Sequence, residues 1–220
     1  FNLYSIHPPE TVLSIGDRRK TIYVINEQIA KALELTLKVV DDVMQLPETV
    51  TDATSVSQWN TFFDLPTNGT AFTSVIVTGN IVKLFGGANI TLKDGLFYSQ
   101  SYLVRFMDFK GCVVRAKYIA FRGSFELTEV YSPSITQVDL ESFEQCYKIA
   151  KISLPALELL GESVALNYVF SNTTGLNIEL TIPTALMTCN TGLPDSDIQY
   201  LIDYNTVTIY DPEGNQICPI

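Results

Sequence analysis

One position of a repeated strand word carries charges of alternating sign, at Arg105, Glu129, Lys151 and Glu179. Two chemistries are open to such a column. Opposite charges on neighbouring strands attract by about 0.2–1 kcal/mol per pair, so the column can staple one repeat to the next. Alternatively it is the charged half of a binding face, with Met107, Tyr131, Ser153 and Thr181 two residues further along the same strands. Stapling is the stronger reading, because a self-neutralised ladder leaves little unpaired charge for a ligand. Both readings need strands in register with the column pointing outward.

Other chemistry is sparse. The single histidine, His7, sits beside Pro8 and Pro9 and far from any cysteine in sequence, which suits an exposed loop better than a base beside a nucleophile. Cys112, Cys146, Cys189 and Cys218 are widely spaced with no C-x-x-C pair, a poor pattern for zinc. Cys189 and Cys218 are candidates for a terminal bridge. Asp195-Ser-Asp197 has the opening of an oxygen-ligand calcium loop but lacks the glycine and distal glutamate of an EF-hand. No phosphate-cradling glycine loop is present. A carboxylate pair for glycoside cleavage is defined by its separation in space, which sequence does not give. The expectation is no catalytic residue, no cofactor and no metal.

The element that must position the column is a repeat anchored on Phe97, Phe121 and Phe143, 24 and 22 residues apart. Six residues on stand Leu103, Leu127 and Ile149, and nine on stand Phe106, Val130 and Ile152. Pro133 and Pro155 follow at twelve, where a missing N–H ends a strand. Ile135 and Leu157, then Val138 and Leu160, make the return segment apolar too. With position nine inward, positions eight and ten face out. Such a unit buries its apolar face only by stacking on its neighbours.

The words from Phe121 to Pro133 and from Phe143 to Pro155 resemble the BspA-like leucine-rich repeats, roughly F-x-x-C-x-x-L-x-x-I-x-L-P, with Cys146 and Ser124 at the small position. The first copy departs, with Gln100 and Phe109 at the Cys and Pro places, and a degenerate fourth ends at Leu180-Thr-Ile182-Pro183 after an insertion around Asn167 to Thr174. Val75 to Val77 and Val82 to Leu84 read as two earlier strands of the stack, so the resemblance spans roughly Phe72 to Pro183. It implies an α/β repeat solenoid, β-rich: a short leucine-rich-repeat stack with an N-terminal helical region and a C-terminal strand cap. It further implies a recognition or adhesion module of a bacterial surface or secreted protein.

Three regions follow. Residues 1–57 hold a hairpin (Val12 to Ile15, a Gly16-Asp17 turn, Thr21 to Ile25), then a helix from Asn26 with Ile29, Leu33, Leu37, Val40 and Met44 on one face, closed by Pro47, then a polar linker to Ser57. That helix is either a cap over the first coil or an oligomerising neck through residues 26–46. Residues 58–185 are the solenoid, entered through an aromatic anchor of Trp59, Phe62, Phe63 and Leu65 that suits core packing. Residues 186–220 form the C-terminal cap, with strands at Ile198 to Ile202 and Val207 to Ile209 and a turn at Asp211-Pro-Glu-Gly.

Charge bounds the partners. The 220-residue chain carries a net charge of −10, and no Lys or Arg follows Lys151. Phosphate backbones require cations, so nucleic acid is a poor partner for that third of the chain. No run approaches the roughly 18 apolar residues of a membrane span. The start at Phe1 suggests a processed form or part of a longer protein, and Asn68-Gly-Thr, Asn89-Ile-Thr and Asn172-Thr-Thr match glycosylation acceptors with no role assigned. The partner that the resemblance implies is a protein or glycan on another surface, with an extracellular or cell-surface location. The alternative is a structural or receptor-binding subunit of a larger assembly, such as a virion fibre, spike or surface appendage.

Overall fold

The computed structural model describes residues 35–39, 46–78, 81–161, 169–186 and 196–218. Its body is a β-solenoid of about four coils. The inward strands of the repeat, β5 (Leu103–Met107), β7 (Glu129–Tyr131), β9 (Lys151–Ser153) and β11 (Asn177–Thr181), pair in parallel, and β12 (Thr206–Tyr210) continues the ladder. A second parallel sheet is made of β4 (Ile90–Leu92), β6 (Val113–Ala116), β8 (Gln137–Val138) and β10 (Leu159–Leu160). The expected α/β leucine-rich-repeat stack is thereby corrected. The return segments are too short for helices, and Val138 and Leu160 enter the core from two-residue strands.

The core between the sheets is built as the periodicity requires. Leu127, Val130, Ile135, Val138, Ile149 and Ile152 are all buried. At the corner the anchors stack ring on ring, Phe97 on Phe121 at 5.4 Å and 6°, Phe121 on Phe143 at 5.4 Å and 1°, and Phe143 on Phe170 at 5.6 Å and 8°. Phe170 is therefore the fourth anchor. Two residues after each anchor the chain turns through positive φ, at Ser99, Gly123, Gln145 and Asn172. Only Gly123 does so without a Cβ penalty. The corner is tied by a third line of hydrogen bonds between coils, Phe97 N to Ala120 O at 2.8 Å, Phe121 N to Ser142 O at 2.9 Å and Phe143 N to Val169 O at 2.9 Å. The small position explains itself there. Ser124 Oγ donates to Phe97 O (2.8 Å), Cys146 Sγ to Phe121 O (3.3 Å) and Thr173 Oγ1 to Phe143 O (2.8 Å). Each coil thus fastens itself to the one before.

Both ends of the stack differ from expectation. Leu35–Val39 is strand β1, paired antiparallel with β5 on one side and with β3 (Ile81–Phe85) on the other, and β3 pairs antiparallel with β2 (Ser74–Thr78). The helix expected across 26–44 is therefore not formed at its centre, and the neck through 26–46 loses its middle. Leu35, Leu37 and Val39 alternate with Thr36 and Lys38 as well as fitting a helical stripe, and a ladder on each side satisfies backbone groups that the open edge of β5 would expose. The strands at 75–77 and 82–84 exist, but as an antiparallel hairpin rather than as earlier coils. The hairpin expected at 12–25 lies outside the described residues.

The cap over the first coil is α1 (Val56–Phe63). Ser55 caps its start, accepting from Gln58 N, and Asp64 ends it in the left-handed region. Phe62 and Phe63 set their rings edge-on to Phe97, at 5.6 and 6.0 Å, so the aromatic anchor packs into the core as expected. The segment read as a linker is ordered: Val50 is buried, Trp59 Nε1 donates to Ala53 O (2.8 Å), and Asp52 accepts from Thr54 N and Oγ1. At the far end Ser196–Tyr204 is helix α2, not a strand. Ile198 and Leu201, three apart, are both fully buried, and that period outweighs the two-residue alternation of Ile198, Tyr200 and Ile202. Strand β12 and the turn after it stand where expected, and β13 (Gln216–Cys218) closes the sheet antiparallel to β12.

Candidate functional site

Two columns run across the solvent face of the parallel sheet, and the register sets both. Arg105 pairs across from Glu129, Glu129 from Lys151, and Lys151 from Glu179. Arg105 Nε lies 3.3 Å from Glu129 Oε2, and Lys151 Nζ lies 3.5 Å from Glu179 Oε2. The alternating charges therefore meet in two ion pairs, as the stapling reading requires. Both pairs are solvent-accessible and so contribute little, about 0–1 kcal/mol each.

The second column is Met107, Tyr131, Ser153, Thr181 and Tyr210, each a strand partner of the next. With strands about 4.8 Å apart, Tyr131 and Tyr210 stand three strands or roughly 14 Å from one another. Between them are the two small hydroxyl residues Ser153 and Thr181, and Ser153 is only 8% exposed. Large, small, small, large makes a groove, of about 690 Å³. Seven of the eight sequence-predicted face residues line it, namely Met107, Glu129, Tyr131, Lys151, Ser153, Glu179 and Thr181; Arg105 stands beside it, holding Glu129.

Sequence reasoning missed the groove's walls. Phe109 occupies the place where later coils have proline, and its ring braces Tyr131 at 5.6 Å. Tyr210 and the turn residues Asp211, Pro212 and Gly214 close the opposite side. Tyr210 was within reach, since extending the repeat register to the strand at Val207 and Ile209 puts it in the same column. The turn is rigid: Asp211 accepts from Asn215 N at 2.7 Å and Asn215 Nδ2 at 2.9 Å, and Gly214 supplies a φ of +88°. The Asn215 side-chain bond, aided by backbone N–H groups, holds the Asp211 carboxyl below the usual carboxylate range.

The remaining polar clusters hold the fold together. Asp108 is fully buried and accepts from Cys112 N (2.9 Å), Cys112 Sγ (3.2 Å), Val113 N (2.8 Å) and Ser132 Oγ (2.8 Å). Arg115 clasps Asp139 through two bonds of 3.2 and 2.7 Å. Arg122 bonds Glu141 through Nη1; its Nε lies 2.8 Å from Glu144 Oε2 but off the N–H direction, so that contact is ionic rather than a hydrogen bond. Burial pushes the Cys146 thiol well above its ordinary range, which keeps it protonated and unreactive. Asp197 accepts from Val169 N at 2.9 Å, while Asp195 of the calcium-like triplet and Cys189 of the candidate bridge lie outside the described residues.

Among the described residues no group of three or more His, Cys, Asp or Glu is placed to hold a metal ion, and no helix is long and apolar enough to cross a membrane. No protein-family model, curated protein or solved structure matches the chain. The site itself therefore carries the functional argument.

Proposed function

We propose that the protein is a non-enzymatic recognition module that binds a partner on another surface through the groove over β7, β9, β11 and β12. The observation that carries this reading is the Tyr131-Ser153-Thr181-Tyr210 column: two large rings flank two hydroxyl residues on one continuous sheet. A rigid scaffold with a shallow, mixed apolar and polar groove suits binding without chemistry. The groove's acidic side chains support the same reading, since Glu129 and Glu179 are engaged by cations and Asp211 by Asn215. The resemblance of the Phe121 and Phe143 words to BspA-like repeats supports an extracellular or cell-surface setting and an adhesive role, by analogy of fold. The assembly-subunit reading drew on low charge and Thr and Asn richness as well as on a helical neck through 26–46, and strand β1 bears only on the neck, at residues 35–39.

The test is adhesion of protein-coated beads to bacterial and epithelial cell surfaces, comparing the native chain with Thr181→Trp, which plugs the groove from an outward strand position that accepts aromatic residues. Loss of adhesion in the plugged variant, with an unchanged thermal midpoint, is the expected result. Equal adhesion overturns the proposal.

A further inference from the structure

Resting on that reading, we infer that the groove's ligand is a neutral oligosaccharide chain. The floor offers no strand edge: β7, β9 and β11 are each paired on both sides, so a peptide cannot bind by extending the sheet and recognition falls to side chains. The side chains present are those a sugar chain requires. A pyranose ring has an apolar C–H face, which packs on an aromatic ring, and a rim of hydroxyls that both donate and accept. Tyr131, held by Phe109, and Tyr210 provide two such rings about 14 Å apart by strand spacing, room for a short run of sugar units. Ser153 and Thr181 supply hydroxyls between them.

Charge selects among sugars. Glu129 and Glu179 are each held in an ion pair, and an ionised carboxylate has about four lone-pair sites, so each keeps capacity to accept from sugar hydroxyls. Among the described residues one cation lines the groove, Lys151, which is held by Glu179, and three carboxylates line the same space. A sulfated or sialylated chain would meet net negative charge, whereas a neutral chain meets acceptors, hydroxyls and rings.

The experiment is saturation-transfer NMR followed by titration calorimetry on the full chain, using chitotetraose, cellotetraose and a heparin-derived sulfated tetrasaccharide as probes. Expected are binding of at least one neutral tetrasaccharide, a loss of about tenfold in Tyr131→Ala, and abolition in Thr181→Trp, with no binding of the sulfated probe. Preference for the sulfated probe, or neutral-sugar binding that survives Thr181→Trp, overturns the inference. Thermal midpoints check that both variants fold. Should neither neutral probe bind while bead adhesion is still lost in Thr181→Trp, the sugar assignment falls and the recognition reading stands. Should Thr181→Trp adhere like the native chain, both fall.

Discussion

The anchor ladder and the charge column share one repeat and one strand register, yet they hold the molecule in opposite ways. Phe97, Phe121, Phe143 and Phe170 stack in full burial, each contact adding about 0.5–1.5 kcal/mol beyond the area it removes from water. Arg105 with Glu129 and Lys151 with Glu179 also meet across neighbouring strands, but water screens them and long side chains lose freedom when pinned. A shared period therefore says that residues meet, and burial says how much the meeting matters. It follows that the buried ladder holds the coil, while the exposed column adds little to its stability.

Breaking the ladder tests the stronger half of that comparison. Phe121→Ala removes a ring stacked on both sides and edge-on to Phe106, and should cost about 3–5 kcal/mol in urea unfolding. Ile152→Ala, one strand in the same core, should cost about 2–5 kcal/mol. Asp108→Ala strands several buried donors at once and should lose about 1–3 kcal/mol, with most of the loss restored by Asn, which keeps an acceptor. Glu129→Ala on the exposed column should change stability by less than about 1 kcal/mol, shrinking further in high salt. Comparable losses for Ile152→Ala and Glu129→Ala would show that the inward and outward positions are misassigned.

The smallest effect is a titration. Asp211 has its folded pKa depressed below an ordinary 3.8, chiefly by the Asn215 side chain. A depressed carboxylate contributes stability above its unfolded pKa and loses it as pH falls through the folded one. The Asn215 amide resonances should therefore stay constant down to the ordinary carboxylate range and move only below it. A midpoint at or above 3.8 would remove the rigid wall from the groove's description.

Legibility in the sequence followed the strength of local pattern. Leu127, Val130, Ile149 and Ile152 were readable as core because a period near 23 residues repeats them, and all four are buried. Seven groove residues were readable because inward positions fix outward ones on a strand. Phe170 was hidden by its 27-residue spacing from Phe143, and Phe109 by standing where the repeat calls for proline. Residues 35–39 satisfy both a helical stripe and a two-residue alternation, and nothing local separates the two. At Ile198 and Leu201 the reverse occurred, a short helix face that also reads as alternation.

The sequence by itself determined the coil: the repeat spacing, the inward strand positions, the charge column and the prolines that stop the later strands are local facts, since each depends on a residue and its near neighbours. Only the tertiary structure decided how the stack ends and what the groove is made of. An edge strand must find a partner and an exposed coil must be covered, and which segment does so depends on long-range pairing. That is why β1 became a strand between β5 and β3, why α1 packs over Phe97, and why Tyr210 came to face Tyr131 across Ser153 and Thr181.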